Sequence, residues 1–418
     1  MVLKPRESSH FLNFRVKYNS MVQLSVWEKE SFFAPADIII AGSGFVGLWS
    51  AYYLKRMAPR LSITIVDRGL IPTGASTRNA GFACFGSLTE LVSDAQQMGE
   101  DKMLELVEMR YKGIKRIAKL FSEKEIGFER YGGYELIADS PGQEANQLRS
   151  QIDRMNRKLK KIVKQQKAFR LQNEKIATFG FKDIRHLVEN RAEAQLHSGK
   201  LCQALLRLVQ SMGVTVLNGI EIRSYEKING QILLQTSQPF DPSQSSQTQT
   251  SSQHIPPLTL TASQLLVCTN AFARQLLPDL DIIPARGQVL VTSPIEGLTF
   301  KGTFHYDEGY YYFRNLGDRV LLGGARNKAF EEEKTDEMTV TDTIRQELQR
   351  FLTEVILPGK TFTIDHHWSG IMAMGSEKSP ILRQVNDQVF CAVRMSGMGV
   401  ALAPVIGEKV AALMTGLS

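Results

Sequence analysis

The sequence predicts an α/β fold: a Rossmann-like dinucleotide-binding domain joined to a second, α+β domain built on a mixed or antiparallel sheet. Three observations carry this reading. Residues 38–41 form a short apolar run that reads as a buried strand. Gly42, Gly44 and Gly47 follow it in the spacing G-x-G-x-x-G, ahead of a helix over 48–57. A second strand over 61–66 ends on Asp67, about 20 residues past the last glycine, where such sites place an acid against a ribose. Strand, glycine turn and helix then recur at the end of the chain, over 389–393, 394–400 and 401–413.

The first unit sets the chemistry. Gly42 allows the sharp turn off the strand, Gly44 lets backbone approach a pyrophosphate, and Gly47 lets the helix pack closely on the sheet. A pyrophosphate then rests on unpaired N–H groups at the positive end of a helix. The helix N-terminus of the last unit, aimed at the same cofactor, favours negative charge there.

Bulk properties bound the alternatives. At 418 residues with 43% hydrophobic content, the chain is long enough for two domains with sizeable cores. It has no run of about 18 apolar residues, so no membrane span is expected. Its N-terminus shows no apolar segment with a small-residue cleavage site, so a cytoplasmic protein is expected. Cys84, Cys202, Cys268 and Cys391 are far apart and read as free thiols. The net charge of +7 is uneven, because Arg154, Arg157, Lys158, Lys160, Lys161, Lys164, Lys167 and Arg170 fall in one stretch without an acid. Such a run suits an anionic partner such as RNA or a membrane surface. The favoured reading is a solvated helix face, since Met155, Leu159, Ile162 and Val163 supply an apolar stripe.

In chain order, residues 1–35 are an N-terminal extension. Residues 36–125, 195–280 and 365–418 are expected to make the dinucleotide domain, and 126–194 with 281–364 the second. After Asp67, the segment Gly74-Ala75-Ser76-Thr77-Arg78-Asn79-Ala80-Gly81-Phe82 is too irregular for a strand or long helix. Its small residues let backbone lie against a flat ligand. Residues 88–126 are helical in pattern, and a glycine turn at 131–133 enters a strand to 137. A long polar and basic helix follows. Residues 201–212 make an amphipathic helix, 214–217 a strand, and 220–225 another. The Ser/Gln/Thr/Pro tract 236–257 has too little apolar content to offset its ordering entropy and reads as a mobile excursion. Residues 265–271 form a buried strand ending in small residues, suited to a cofactor contact at the carboxyl edge of a sheet. Residues 284–292, 310–315 and 319–323 read as successive antiparallel strands, and 341–357 as a helix.

With these pieces in place the chain resembles the D-amino-acid-oxidase-like family of FAD-dependent amine oxidoreductases, which includes glycine, sarcosine and gamma-glutamylputrescine oxidases. The carriers are GSGFVG after a strand, GASTRNAGF, VCTNAF, PARGQVLV, YYYFR followed by RVLLGG, WSGI, and SGMGV at the end. Their order and spacing together make the signal. The resemblance implies that the Rossmann-like domain binds FAD and that the second domain's sheet faces the flavin. Gly42, Ser43, Gly44, Phe45, Val46 and Gly47 would then hold the pyrophosphate, with Asp67 and Arg68 on the adenosine ribose. Ser76, Thr77, Arg78, Asn79, Ala80 and Gly81 would line the pyrophosphate and isoalloxazine. Ile222, Thr269 and Asn270 would lie near the adenine. Gly397, Met398, Gly399 and Val400 would aim N–H groups at the flavin's pyrimidine edge, where reduction places negative charge.

The implied reaction is hydride transfer from the carbon beside an amine to flavin N5, giving an imine that water hydrolyses. Tyr311 matches the position where family members set a tyrosine against the substrate. In a strand it shares a face with Phe313, while Tyr310, Tyr312 and Arg314 point the other way.

The departures from the family matter. Met372 stands where the amino-acid oxidases carry the arginine that clamps a carboxylate, and Arg314, Arg326 and Arg394 are the possible substitutes. Tyr311, Arg314 and Met372 are thus the residues expected around the substrate. No cysteine near Gly370 and no histidine at Asn79 offers a link to the cofactor, so non-covalent FAD is expected. The oxygen-activating lysine of sarcosine oxidase falls near Leu321, which leaves O2 or another acceptor open. His366 and His367 read as packing residues. Two rival readings stand beside the small-amine enzyme: a nicotinamide-dependent dehydrogenase, and a flavoprotein acting on a macromolecule such as RNA through 154–170. A nicotinamide enzyme needs neither GASTRNAGF nor the terminal glycine turn, and a nucleic-acid partner is not expected.

Overall fold

In the computed structural model, which describes residues 24–138, 145–164, 167–237 and 258–416, the chain forms two large sheets and a short two-stranded ladder. The first is built on the two strand–glycine–helix units. Its order is Ile381–Gln384, Val389–Val393, Thr259–Val267, Ala36–Ala41, Ile63–Asp67, Thr215–Asn218. All neighbours but the first pair run parallel. A hairpin of Ile222–Ile228 and Gln231–Thr236 hangs antiparallel on Thr259–Val267. The central strands Ala36–Ala41 and Ile63–Asp67, with Val389–Val393, are buried on both faces, which is why they read as unbroken apolar runs rather than as alternations.

The helices of the two units, Phe45–Met57 and Gly399–Thr415, cross at close range on one face of this sheet. A Cβ at Gly407 would lie 2.7 Å from the Trp49 Cβ, and one at Gly113, on the helix Glu100–Leu120, 1.8 Å from the Ala401 carbonyl oxygen. Only glycine permits that approach. It brings both helix N-termini to the same edge, the carboxyl ends of the parallel strands, where open α/β sheets bind their ligands.

The second sheet runs Ile364–Met374, Ile283–Thr292, Arg319–Gly324, Tyr311–Leu316, Thr303–Tyr306, Gly133–Ala138, Ile184–Asn190, Phe169–Leu171. It is mixed, with one parallel pair, Thr303–Tyr306 on Gly133–Ala138. On its far side Phe181, Phe300, Phe304 and Phe313 pack with Phe351, and Phe304 and Phe313 stack at 4.7 Å. The strand Ile364–Met374 corrects the expected boundary at 365. It pairs with Ile283–Thr292 from Ile283↔Met374 to Thr292↔Ile364, so residues up to 374 complete the second sheet. The helix expected over 341–357 is α-helical over Asp342–Phe351 and then widens into a π turn, Leu352–Ile356.

The basic helix Ala145–Val163 buries Leu148, Ile152, Met155, Leu159 and Val163. Its Arg154 and Lys158 pair with Glu100. The excursion expected over 236–257 lies outside the described residues from 238 on, as does the N-terminal extension up to residue 23. No helix among the described residues is long and apolar enough to cross a membrane, and the four cysteines are buried and unpaired.

Candidate active site

A cavity of about 470 Å³ runs from the glycine turn of the first unit to the second sheet. At its nucleotide end the walls are backbone. Gly42 has φ +105°, and a Cβ there would lie 2.9 Å from the Cys268 carbonyl oxygen; a Cβ at Gly47 would lie 2.0 Å from the Gly42 oxygen. The helix Phe45–Met57 has no side-chain cap from its own N-cap residue, Gly44, and the Phe45 N–H is held by Ser76 Oγ at 2.8 Å. Helix Gly399–Thr415 likewise starts without a side-chain cap. Two positive helix ends with unsatisfied N–H groups therefore face one crevice.

Asp67 lines this end, but much of its carboxylate is already bonded. Oδ2 accepts from the Ser43 N–H (2.8 Å) and hydroxyl (2.7 Å), and Oδ1 accepts from the Gly69 N–H. Arg68 lies over the Phe272 ring at 3.7 Å and 4.0 Å from Glu221. Ile222, Thr269 and Asn270 line the cavity, and Thr269 Oγ1, Asn270 Oδ1 and Ser396 Oγ are buried there without a partner. Orphaned polar atoms, two helix N-termini and a glycine cradle fit an FAD; a buried polar atom left unpaired otherwise costs about 1–3 kcal/mol.

Most of the expected cofactor residues meet at this cavity: Gly42, Gly44, Phe45, Val46, Asp67, Arg68, Ser76, Arg78, Asn79, Ala80, Ile222, Thr269, Asn270 and the turn Gly397, Met398, Gly399, Val400. Ser43, Gly47, Thr77 and Gly81 stand behind its wall. Ser43 fixes Asp67, Gly47 seats the helix, and the Thr77 hydroxyl donates to the Pro72 carbonyl. Gly81 donates its N–H to Asn79 Oδ1. Arg78 ties the loop to the second sheet, donating to the Thr73 and Ser369 carbonyls, while Trp368 Nε1 donates to the Arg78 carbonyl.

The second sheet forms the other end, and here the expectation for Tyr311 is corrected. Tyr311 points to the far face, where it packs on Tyr306 and Phe351 and donates its hydroxyl to Glu347 Oε1 at 2.6 Å. Alternation along Tyr311–Leu316 puts Tyr312 on the cavity side instead, beside Phe82. Gly323 makes room for it, since a Cβ there would lie 2.5 Å from the Tyr312 ring. Burial pushes the Tyr312 hydroxyl up to about 12, so it remains a donor at neutral pH.

The three arginines separate by what they are already bonded to. Arg314 does not line the cavity: it is buried, donates to the Gly81 and Leu196 carbonyls, and is lowered to about 10 by that burial. Arg394 donates to Asp281 and to the Ser379 carbonyl. Arg326 lines the cavity half-buried, over the Phe330 ring at 4.8 Å, and among the described residues its guanidinium makes no hydrogen bond or ion pair. Burial lowers its pKa from the ordinary 12.5. Met372 also lines the cavity, wedged between Gly287 and Gly397.

Sequence reasoning missed Tyr310, Tyr312, Phe82, Cys84 and His305 as cavity residues. Strand parity was the signal for Tyr312, and it lacked only the face that the core takes.

A profile of the family described as FAD dependent oxidoreductase (DAO) matches residues 37–413. Among curated proteins, a probable oxidoreductase, OrdL, of Haemophilus influenzae is 20% identical over 404 residues, covering 91% of this chain and 83% of that protein. Among solved structures, L-proline dehydrogenase from P. horikoshii superposes with a TM-score of 0.69 at 17% identity, over 91% of this chain and 94% of its own. Glycine oxidase from Geobacillus kaustophilus gives 0.69 at 18%, over 92% and 95%.

Proposed function

This chain belongs to the FAD dependent oxidoreductase (DAO) family, and on that premise we propose that it oxidises the C–N bond of a small amine or amino acid that carries an anionic group. The observation behind this reading is Arg326, whose guanidinium has no hydrogen-bond or ion-pair partner among the described residues, on the cavity wall beside Tyr310 and Tyr312. An unpaired half-buried cation is costly unless a ligand supplies the counter-charge. Its placement on a different strand end from Met372 gives the cavity a charge anchor where the family's usual arginine is missing.

FAD, when bound, supplies the hydride acceptor, and the substrate leaves as an imine that water hydrolyses. The protein's part is orientation and exclusion of water. Arg326 holds the anionic end, and the Tyr312 hydroxyl stays protonated and donates. Phe82, Val289 and Met372 supply the apolar walls that keep the reacting carbon dry. The turn from Gly397 to Val400, at a helix end on the cavity wall, would present N–H groups to the negative charge of the reduced cofactor. No strong base is required if the amine binds neutral.

The test is anaerobic photometry of the purified yellow protein against a panel of amines with and without a carboxylate. Bleaching of the flavin band by carboxylate-bearing amines is expected. A band that bleaches only with uncharged amines removes the anionic-substrate reading, and one that no amine bleaches removes the reaction.

A further inference from the structure

Three side chains of metal-binding type converge at the substrate end of the cavity, and none is needed for the reading above. The register of the short ladder Phe82–Ala83 on Ala194–Gln195 brings two of them together. Ala83 pairs with Ala194, so Cys84 and Glu193 come next in line on the two strands. The third, His305, projects from Thr303–Tyr306 of the second sheet, with the Phe82 ring edge-on at 5.3 Å. Sulfur, carboxylate oxygen and imidazole nitrogen lie within 4.8 Å of one another, and all three residues are at most 6% exposed. Cys84 and His305 line the cavity; Glu193 sits behind them.

We propose that Cys84, Glu193 and His305 bind a divalent zinc ion, with its fourth coordination position open to the cavity. The donor set selects the metal. Thiolate with imidazole and a single carboxylate suits Zn²⁺ and disfavours Mg²⁺ and Ca²⁺, which take oxygen shells. Three protein ligands and one open position is the arrangement of a zinc site that holds water or a ligand, not of a closed structural site. The nitrogen–oxygen distance needs little change. Zn–N and Zn–O bonds of about 2.0–2.1 Å in a tetrahedron put donor atoms about 3.3 Å apart, and His305 Nε2 stands 3.2 Å from Glu193 Oε2.

The surroundings hold the ligands in place as outer partners of metal sites do. Asn190 Nδ2 donates to Glu193 Oε1 at 3.2 Å, and Thr303 Oγ1 donates to Oε2 at 3.4 Å. The carboxylate fits only because residue 133 is glycine, where a Cβ would lie 2.1 Å from Oε2. Binding displaces the Cys84 thiol proton to solvent; without a cation, burial together with the Glu193 and Glu90 carboxylates keeps that proton on sulfur. The occupied site would bridge the loop after Phe82 to the second sheet, and it would offer the substrate's anionic end a second point of attachment besides Arg326.

The experiment uses the full-length FAD-loaded protein, stripped with a chelator, dialysed against zinc and measured for metal by mass spectrometry. One zinc per chain that survives gel filtration is expected. Cys84→Ser and His305→Ala should each weaken zinc binding by more than about 100-fold with flavin content retained, and Asn190→Ala by about tenfold. Cobalt in place of zinc should give the intense d–d bands of a tetrahedral thiolate site, at wavelengths beyond the flavin's absorption. The proposal is overturned if wild-type protein retains no zinc above a chelator-treated control. It is equally overturned if Cys84→Ser keeps its full zinc content, or if cobalt gives only the pale octahedral spectrum. The wild-type titration and the cobalt spectrum stand even where a variant fails to fold.

Discussion

The two ends of the cavity are built on different principles. At the nucleotide end the contacts are backbone: a φ of +105° at Gly42, a carbonyl against Gly47, and two helix N-termini. At the substrate end the contacts are side chains on a pleated sheet, and the sheet offers either of its faces. The first tolerates almost no change at Gly42 and Gly47, because there is no space for a side chain there. The other depends on which side chain is turned inward and which is left unpaired. The lesson is that cofactor binding here is a property of chain path, whereas substrate choice is a property of a few charges and hydroxyls that can be exchanged without moving the chain.

The sharpest way to break this comparison is to put a methyl group at the backbone end. Gly47→Ala places a Cβ 2.0 Å from the Gly42 oxygen. The clash should cost about 3 kcal/mol, more than about 100-fold in FAD affinity, read as the ratio of flavin to protein absorbance after gel filtration. Gly74→Ala is the control, since nothing lies within 4 Å of its added Cβ and its φ is −76°. Equal flavin content in the two variants would refute the backbone account.

The next test moves to the other end. Arg326→Met should leave flavin content and folding intact. It should raise the dissociation constant for a carboxylate-bearing substrate by roughly 30-fold, about 2 kcal/mol. Arg314→Met should do the reverse, because Arg314 holds the Gly81 and Leu196 carbonyls inside the fold. Its loss should show in the denaturation midpoint before it shows in binding. Substrate affinity unchanged by Arg326→Met would remove the anchor.

The same contrast decides what the sequence made legible. Gly42, Gly44, Gly47 and the terminal turn stand out because spacing along the chain is itself the geometry of a backbone site. Tyr311 and Tyr312 do not, because alternation states that they face opposite ways without stating which side carries the phenylalanine core. The arginines are less legible still: whether a guanidinium is free depends on which carbonyls the fold brings to it, as it does for Arg314 and Arg394 but not Arg326. The strand Ile364–Met374 reads as a strand, yet nothing local says which sheet it joins. Cys84, Glu193 and His305 are each more than a hundred residues from the next. Only the ladder at Ala83 and its packing against the second sheet bring them together.

Paired substitutions of the adjacent tyrosines give a smaller effect and a cleaner dissociation. Tyr312→Phe removes a hydroxyl from the cavity and should slow anaerobic flavin reduction by roughly fivefold, about 1 kcal/mol in barrier, with stability unchanged. Tyr311→Phe removes the bond to Glu347 and should cost about 1 kcal/mol of unfolding free energy, with flavin reduction unchanged. If Tyr311→Phe alone slows reduction, the faces have been assigned the wrong way round.

The smallest expected effect lies in the pH dependence of that far face. Glu347 accepts from Arg350 Nε (2.9 Å) and Nη2 (2.7 Å) and from the Tyr311 hydroxyl. The Arg350 bonds, aided by Tyr311 and opposed by burial, hold its carboxyl below the ordinary 4.5. Because the folded value is the lower one, the unfolded chain takes up the proton first as acid is added. The stabilisation is therefore complete above pH 4.5 and is lost as pH falls through the depressed folded value. Glu347→Gln should lower stability at neutral pH by less than about 1 kcal/mol, given the partly exposed partner. It should also flatten the fall of stability with acid, measured as urea midpoints on both sides of pH 4.5. Flavin reduction by substrate should not change, because the carboxyl lies across the sheet from the cavity. A variant whose acid slope equals that of the parent would show that the Tyr311 face carries no titrating link. The sheet would then differ between its faces only in what it packs against.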